Sequence, residues 1–450
     1  MPQIPPDRSD RPSICIDGFN LAAAQGTGIA TYSRNLLDAA SRLGFRTEAL
    51  FGPTLPIGSV KPFGDVAILD PERPAEPLRF MQKIERDVRT LLGPTGRTAF
   101  PVRPSTDVIW PGGEAARPNA SRFWAGDRLY FYANRAFNKH GRSTPVRFFS
   151  TRDAPAPSVM HWTTLLPLRA LNVPNIYTIH DLIPLRLPHT TLHNKPVFMA
   201  LCREVARRAD HIAVVSEATR RDVIRMLGVP EDRVSNTYQA VSLPKALIER
   251  SERDVVIELE ATFRLGWGDY FLHFGAVEPK KNLGRVVEAY LASGVKTPLV
   301  IVGGRGWLSE PETALLSHVK AIGGPSSDRI HVYEYMSFAT LISLIRGARA
   351  VLFPSLYEGF GLPVLEAMSL GTPVLTSTEG ALPEVAGDAA IQVDPYDVQA
   401  LSTAIRMIDA DAGWRAEASL RGRAQAAQFN DDAYDARLRA LYSKVGVYLR

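Results

Sequence analysis

Ala350-Val351-Leu352-Phe353-Pro354-Ser355-Leu356-Tyr357-Glu358-Gly359-Phe360-Gly361-Leu362-Pro363-Val364-Leu365-Glu366-Ala367-Met368 is the stretch against which the rest of the chain is read. Its first four residues are apolar and are stopped by a proline, which predicts a short strand buried in a parallel sheet. Gly359 and Gly361 permit a tight turn and a close approach of backbone to a ligand. Pro363 suits a first helical position, residues 364–370 continue the helix, and Gly371 ends it. Strand, glycine turn and helix N-terminus together make an anion site, because unpaired N–H groups and the positive end of the helix dipole point into the turn. Glu358 in the loop and Glu366 in the first helical turn bracket it, with seven residues between them. A phosphate against those amides leaves both carboxylates free to accept from hydroxyls on either side, a sugar on one and a ribose on the other. Two glutamates at this spacing alone are usually a solvated helix face; here strand, glycines and proline stand in register with them.

Those residues resemble the E-x7-E signature of the family 4 retaining glycosyltransferases, group 1 and mannosyltransferase-like. Around the signature, Phe353-Pro354-Ser355, Glu358 to Pro363, Leu365-Glu366-Ala367, Gly371-Thr372-Pro373-Val374 and Leu382 to Asp388 match the family pattern. The resemblance implies the α/β GT-B architecture: two Rossmann-like, doubly wound domains facing a cleft, with the donor mainly on the second and the acceptor mainly on the first.

The 450 residues exceed what one core usually organises, so two domains are the default. With 45% hydrophobic and 22% charged residues, the composition is that of an ordinary globular protein. The net charge of +5 suits an anionic nucleotide substrate or membrane surface and is too weak to argue for nucleic acid. Cys15 and Cys202 lie far apart in apolar contexts, which points away from a disulfide or metal framework and toward a reducing compartment. The proline-rich first dozen residues lack the apolar core of a signal peptide, and no apolar run is long enough to span a bilayer. The expected location is the cytoplasm, with peripheral contact at the inner face of an anionic membrane.

Ser13-Ile14-Cys15-Ile16-Asp17 reads as the first strand. The loop that follows carries Gly26-Thr27-Gly28 and leads into a helix with Tyr32, Leu36, Leu37, Ala40 and Leu43 at helical spacing. Gly26 and Gly28 alone are explained equally well by a tight turn; the resemblance implies a loop closing over the donor's diphosphate. Between Phe51 and Pro157 lie 14 of the 34 prolines, so residues 52–157 read as an irregular insertion. Within it, residues 78–92 form an amphipathic basic segment. Residues 122–142 interleave Phe123, Trp124, Tyr130, Phe131, Tyr132 and Phe137 with basic side chains. Packing inside the domain is the favoured reading of both; membrane or sugar contact on the acceptor side is the other. Asn175 to Ile179 is a strand that delivers His180-Asp181-Leu182 at its carboxyl end, where ligands sit in open parallel sheets. The family carries a similar block near the reacting sugar, so His180 is the first choice for the catalytic centre, with His161, His189 and His193 as alternatives. A histidine there can donate to a sugar hydroxyl or to developing charge near neutrality. His211 to Val215 is another strand, and Ser216 caps the next helix. Gln239-Ala240 stands where the family usually has Asn-Gly.

The second domain opens with a strand at Asp269–Phe274, followed by Gly275-Ala276-Val277-Glu278-Pro279-Lys280-Lys281-Asn282. Positive charge at a helix start opposes the dipole and asks for an anion. In the family this loop aims a basic residue and then a lysine at the diphosphate. Lys281 matches the second; Ala276 replaces the first, and Lys280 or Arg305 would substitute. Helices are expected at 397–409, 414–428 and 434–449, the last returning to the first domain.

Domains are accordingly expected at 1–245 and 255–430, with 431–450 crossing back. The resemblance implies transfer of a hexose, mannose or deoxyhexose, from a nucleoside diphosphate sugar such as GDP-mannose to a hydroxyl of a glycan or lipid-linked glycan in bacterial surface polysaccharide synthesis. Its catalytic residues would be His180, Glu358 and Lys281. Donor contacts would come from Gly26, Gly28, Lys280, Arg305, Gly359, Phe360, Gly361, Leu362 and Glu366, with main-chain amides at Pro363. No metal ligand cluster is visible and no cofactor is expected. The alternatives are a phosphorylase or nucleotide-sugar epimerase of the same fold, or a non-catalytic glycan-binding relative.

Overall fold

The computed structural model describes residues 11–21, 28–53, 96–102, 118–304 and 306–449. Among them lie two sheets. The first takes β1 (Ser13–Asp17), β2 (Arg46–Phe51), β3 (Arg97–Val102), β4 (Arg122–Ala125), β5 (Thr144–Phe148), β6 (Val159–Trp162), β7 (Leu168–Ala170), β8 (Asn175–Ile179), β9 (His211–Val214) and β10 (Val234–Asn236). Their spatial order is β10-β9-β8-β6-β1-β2-β4-β3-β5-β7, parallel throughout except where β3 meets β4. The second takes β11 (Phe271–Phe274), β12 (Leu299–Val302), β13 (Ile330–Tyr333), β14 (Ala350–Phe353), β15 (Val374–Ser377) and β16 (Ile391–Val393), all parallel in the order β13-β12-β11-β14-β15-β16.

The second order reverses direction once and the first reverses at β1, apart from a local exchange of β3 and β4, and these two reversals decide where ligands can sit. In the second sheet β11 and β14 are neighbours at the reversal; in the first, β1 lies between β6 and β2. Loops leaving the carboxyl ends of such strands diverge to opposite faces and open a crevice. The segments 275–282 and 354–361 therefore face the loops after β1, β6 and β8. Strand interiors are apolar on both faces, as burial under helices on each side requires: Ala350 to Phe353 and Leu299 to Ile301 are almost wholly inaccessible.

Several expectations change. Residues 97–102, 122–125 and 144–148 extend the first sheet, so the described part of 52–157 belongs to the sheet instead of interrupting it. Phe123 and Trp124 are fully buried, and Phe137 packs beneath the helix Leu129–His140. That is core packing, while Phe131 on the same helix is exposed. The segment 78–92, Gly26 and Arg305 lie outside the described residues. The last helix runs Asp431–Ser443, shorter and earlier than 434–449, with Asn430 accepting from the Ala433 N–H as its cap. It lies against the helix Gly28–Arg42 of the first domain, with Arg42 paired to Asp435 at 2.7 Å. Helices Val398–Ala410 and Ala412–Ala426 precede it.

Candidate active site

The site is assembled from the second domain upward. Asn282, with φ +62°, takes the left-handed region that asparagine tolerates, and its Nδ2 donates to the carbonyls of Pro354 at 3.0 Å and Pro395 at 2.8 Å. That tie brings the loop after β11 against the loop after β14. Lys281 Nζ then lies 2.7 Å from Glu358 Oε1 and 4.5 Å above the Phe353 ring. Lys280 Nζ stands 3.7 Å from Glu358 Oε2 and 3.4 Å from Glu278 Oε1. Ala276 is exposed, and among the described residues the cation beside Lys281 is Lys280. Burial works against ionisation of Glu358, but Lys281 and Lys280 outweigh it and hold its carboxyl below the usual range. Burial likewise opposes charge on Lys280, and Glu358, Asp181 and Glu278 together raise its pKa above the ordinary value.

Past Glu358 the chain turns through Gly361, whose φ of +112° is a conformation suited to glycine, into the helix Leu362–Ser369. Among the described residues the N–H groups of Gly359, Phe360, Gly361 and Leu362 donate to no protein acceptor, whereas those of Val364 and Leu365 are taken by the Gly361 carbonyl. Pro363 has no N–H, so the donors are the residues before it and not Pro363 itself. Four idle amides and a helix start follow directly on a carboxylate that holds two ammonium groups, a set of donors suited to an anion. Glu366 lies past the first helical turn, not within it as its place after the proline implied. Its half-buried carboxyl accepts no hydrogen bond among the described residues, and burial lifts its pKa to about 7, with Lys281 opposing.

The first domain supplies His180. Its Nε2 stands 2.8 Å from the Thr163 carbonyl, so Nε2–H is the donor and Nδ1 is left as an acceptor. Burial lowers its pKa, only partly countered by that hydrogen bond and by Asp181, so the ring is neutral. The Tyr32 ring meets it edge-on at 4.8 Å. The sequence allowed three other histidines. His161 is buried between Tyr442 OH at 3.0 Å and Thr178 Oγ1 at 2.8 Å, and burial drops its pKa to about 3. His189 and His193 are exposed.

The two halves meet at Gly359: a Cβ there would stand 2.2 Å from the His180 carbonyl oxygen, so a glycine is needed for the approach. Thr219 Oγ1 lies within hydrogen-bond reach of both carbonyls, His180 at 3.1 Å and Gly359 at 3.3 Å. Tyr357 donates to Asp222 Oδ2 at 2.5 Å, with Arg186 over its ring. Glu384 carries most of this junction. Its Oε2 accepts from the Glu217 N–H at 2.9 Å and from Tyr238 OH at 3.0 Å, and its Oε1 from the Ala218 N–H at 2.8 Å. It thus caps the helix Glu217–Leu227 of the other domain. Neither Glu384 in that role nor Asp222 was visible in the sequence, because the partner lies well over a hundred residues away; a carboxylate following a Leu-Pro helix start was the only local signal. Gly28 begins the helix Gly28–Arg42, and none of the described residues lies within 4 Å of where its side chain would be.

Comparison with known proteins follows this division. Residues 106–243 match the family described as Glycosyltransferase Family 4, and residues 266–425 match Glycosyl transferases group 1. The O-antigen chain mannosyltransferase B of Escherichia coli is 35% identical over 260 residues, 57% of this chain and 66% of that protein. The serotype-specific mannosyltransferase WbdA of the same organism is 28% identical over 60% of this chain and 33% of its own length. The chain therefore spans about two thirds of the first relative and a third of the second. Among solved structures, sucrose-phosphate synthase from Thermosynechococcus elongatus superposes with a TM-score of 0.65 at 18% identity, covering 97% of this chain and 99% of that one. HepE from Anabaena, in complex with UDP and glucose, gives 0.65 at 14% identity over 96% and 100%. These likenesses establish the GT-B fold. With both signatures in chain order, one on each domain of that fold, the chain belongs to the family 4, group 1 glycosyltransferases.

Proposed function

We propose that this protein moves a hexose, mannose or a related deoxyhexose, from a nucleoside diphosphate sugar to a hydroxyl of a growing or lipid-linked glycan in bacterial surface polysaccharide synthesis, with retention at the anomeric carbon. The observation that carries the reading is that Lys281 and Lys280 both meet Glu358, that four idle amides from Gly359 to Leu362 follow it directly, and that Gly359 abuts the His180 carbonyl. As the bond from the anomeric carbon to the diphosphate breaks, negative charge collects on the departing oxygen. Fixed donors that face it in advance lower that barrier without reorganisation. The acceptor hydroxyl attacks from the same face, and its proton passes to the departing phosphate oxygen. Glu366 suits the ribose hydroxyls and Glu358 the sugar ring, once its lysines have turned to the diphosphate. His180 is placed to accept from a sugar hydroxyl through Nδ1, the opposite of the donating role its sequence position suggested. The mannosyltransferase names of the relatives support mannose as the sugar, and GDP-mannose is the donor to test first. With the charge met by lysines and amides, the reading needs no metal; transfer that stops in EDTA and returns with a divalent ion overturns that part.

Among the described residues no helix is long and apolar enough to cross a membrane. We place the protein in the cytoplasm with peripheral contact at the inner membrane face, to which the +5 net charge contributes. The decisive experiment offers GDP-mannose and other sugar nucleotides to the wild type, Glu358→Ala and Lys281→Ala. Wild-type transfer with an axial product, lost in both folded variants, is expected; full transfer by either variant sinks the assignment.

A further inference from the structure

Asp17 closes β1 and is fully buried, an expensive place for a carboxylate unless it is used. Its Oδ2 accepts from the Thr163 N–H at 2.5 Å, and its Oδ1 from the Phe19 N–H at 3.3 Å. The Thr163 hydroxyl receives the Ser33 hydroxyl at 3.0 Å and is also hydrogen-bonded to Asp17. Thr163 is thus gripped at its nitrogen and at its side chain, which leaves its carbonyl one orientation, and that carbonyl takes the Nε2–H of His180 at 2.8 Å. We propose that Asp17 is a positioning residue for the sugar-transfer centre: by clamping Thr163 it fixes the tautomer and tilt of His180, so that Nδ1 faces the cleft as an acceptor.

The geometry excludes the simpler account in which Asp17 merely ends a strand. A strand end needs a main-chain or water partner, not a buried carboxylate that reaches from β1 to the segment after β6. Nor does Asp17 polarise a single peptide group, because the N–H it holds and the carbonyl that holds His180 belong to successive peptide units. Its action is positional, and a small tilt of a group that touches the reacting sugar costs rate more than binding.

The proposal rests on the glycosyl-transfer reading for its rate effect, but not for its structural effect, so the test separates them. In the full-length protein the His180 side-chain nitrogens are followed by long-range 15N–1H correlation, assigned by His180→Gln. The wild type is expected to show a single Nε2–H tautomer. Asp17→Ala is expected to mix the tautomers and to lower kcat about tenfold to a hundredfold with donor KM little changed. Asp17→Asn keeps an oxygen for the Thr163 N–H, so it recovers most of the tautomer and part of the rate. If Asp17→Ala fails to fold, Asp17→Asn carries the test. Wild-type tautomer and kcat in whichever folded Asp17 variant is measured overturn the proposal. Full activity in His180→Gln overturns the role of His180 and leaves the tautomer result standing.

Discussion

Glu358 is 7% exposed and shared by two ammonium groups, so three charges are held out of water on the strength of one another. Removing one member of such a set hurts by what it strands. Glu358→Gln strands Lys281 without its counter-charge and leaves Lys280 only Glu278 and Asp181, and is expected to cost about 3 kcal/mol, within the range for breaking a buried pair. Lys281→Met leaves Glu358 paired to Lys280 and costs less. Denaturant melts should rank them in that order, and a ranking the other way removes Glu358 from the centre of the cluster. Glu366 titrates where the enzyme works. With its pKa lifted to about 7 by burial, the carboxyl holds its proton well above the ordinary range. For the proposed ribose contact the ionised carboxyl is the stronger acceptor and keeps both oxygens free to accept. Donor binding therefore strengthens as pH rises through 7 and levels above it, weakening by up to about tenfold per unit on the acid side. Glu366→Gln should flatten that profile; an unchanged slope in the variant assigns the titration elsewhere.

Among elements, the helix Glu217–Leu227 shows how the domains are kept in register. Ser216 satisfies the Thr219 N–H, and Glu384 from the other domain satisfies those of Glu217 and Ala218, an anion against the positive end of a helix. Glu384→Ala frees these donors and Tyr238 OH to water and should cost about 1–2 kcal/mol. It should also raise the radius of gyration by small-angle scattering and the donor KM; a wild-type scattering curve means that closure rests on other contacts. A second tie runs through Tyr442, His161, Thr178 and Tyr32, each 2.8–3.0 Å from the next. Tyr442→Phe leaves His161 Nδ1 buried without its partner and should cost about 1–3 kcal/mol in a thermal or urea melt; a melt indistinguishable from wild type would take the tyrosine out of the tie. Strands were legible where sequence carries a complete local statement. Ser13–Asp17, Asn175–Ile179, Leu299–Val302 and Ala350–Phe353 are apolar runs closed by a turn residue, and they fall where the pattern puts them. Arg97–Val102 was not legible: it holds Pro101 and alternates exposed and buried positions beside an antiparallel neighbour, so it has no buried-strand signature. In the site, the loop 358–362 and Lys281 could be read because phosphate chemistry leaves a local mark. Asp17, Thr163 and Glu384 could not, since their meaning lies in partners brought from other strands by the fold.

At the scale of the whole molecule, the chain crosses between domains twice, and the crossings touch. Val241 N–H donates to the Phe429 carbonyl at 3.0 Å, and Tyr238, with φ +53°, sets its ring edge-on to Phe429 at 5.3 Å. Two adjacent crossings suit bending at one place, and the returning helix Asp431–Ser443 decides how firmly the far side is held. Two kinds of contact hold that helix. Arg42 pairs with Asp435 and Asp431 at the surface with 40% of its side chain exposed, a geometry worth no more than about 1 kcal/mol because water and salt screen it. Leu438 and Leu441, 0% and 1% exposed, bury fully beneath it, and a leucine-to-alanine change in such a place costs about 2–5 kcal/mol. Arg42→Ala should therefore melt close to wild type and lose what little it changes in high salt. Leu438→Ala should melt several degrees lower and become sensitive to protease between residues 427 and 431, where the second crossing lies. If the ranking inverts, the helix is held by charge and not by packing, and the hinge opens with ionic strength; scattering curves recorded from low to high salt on the wild type decide between the two.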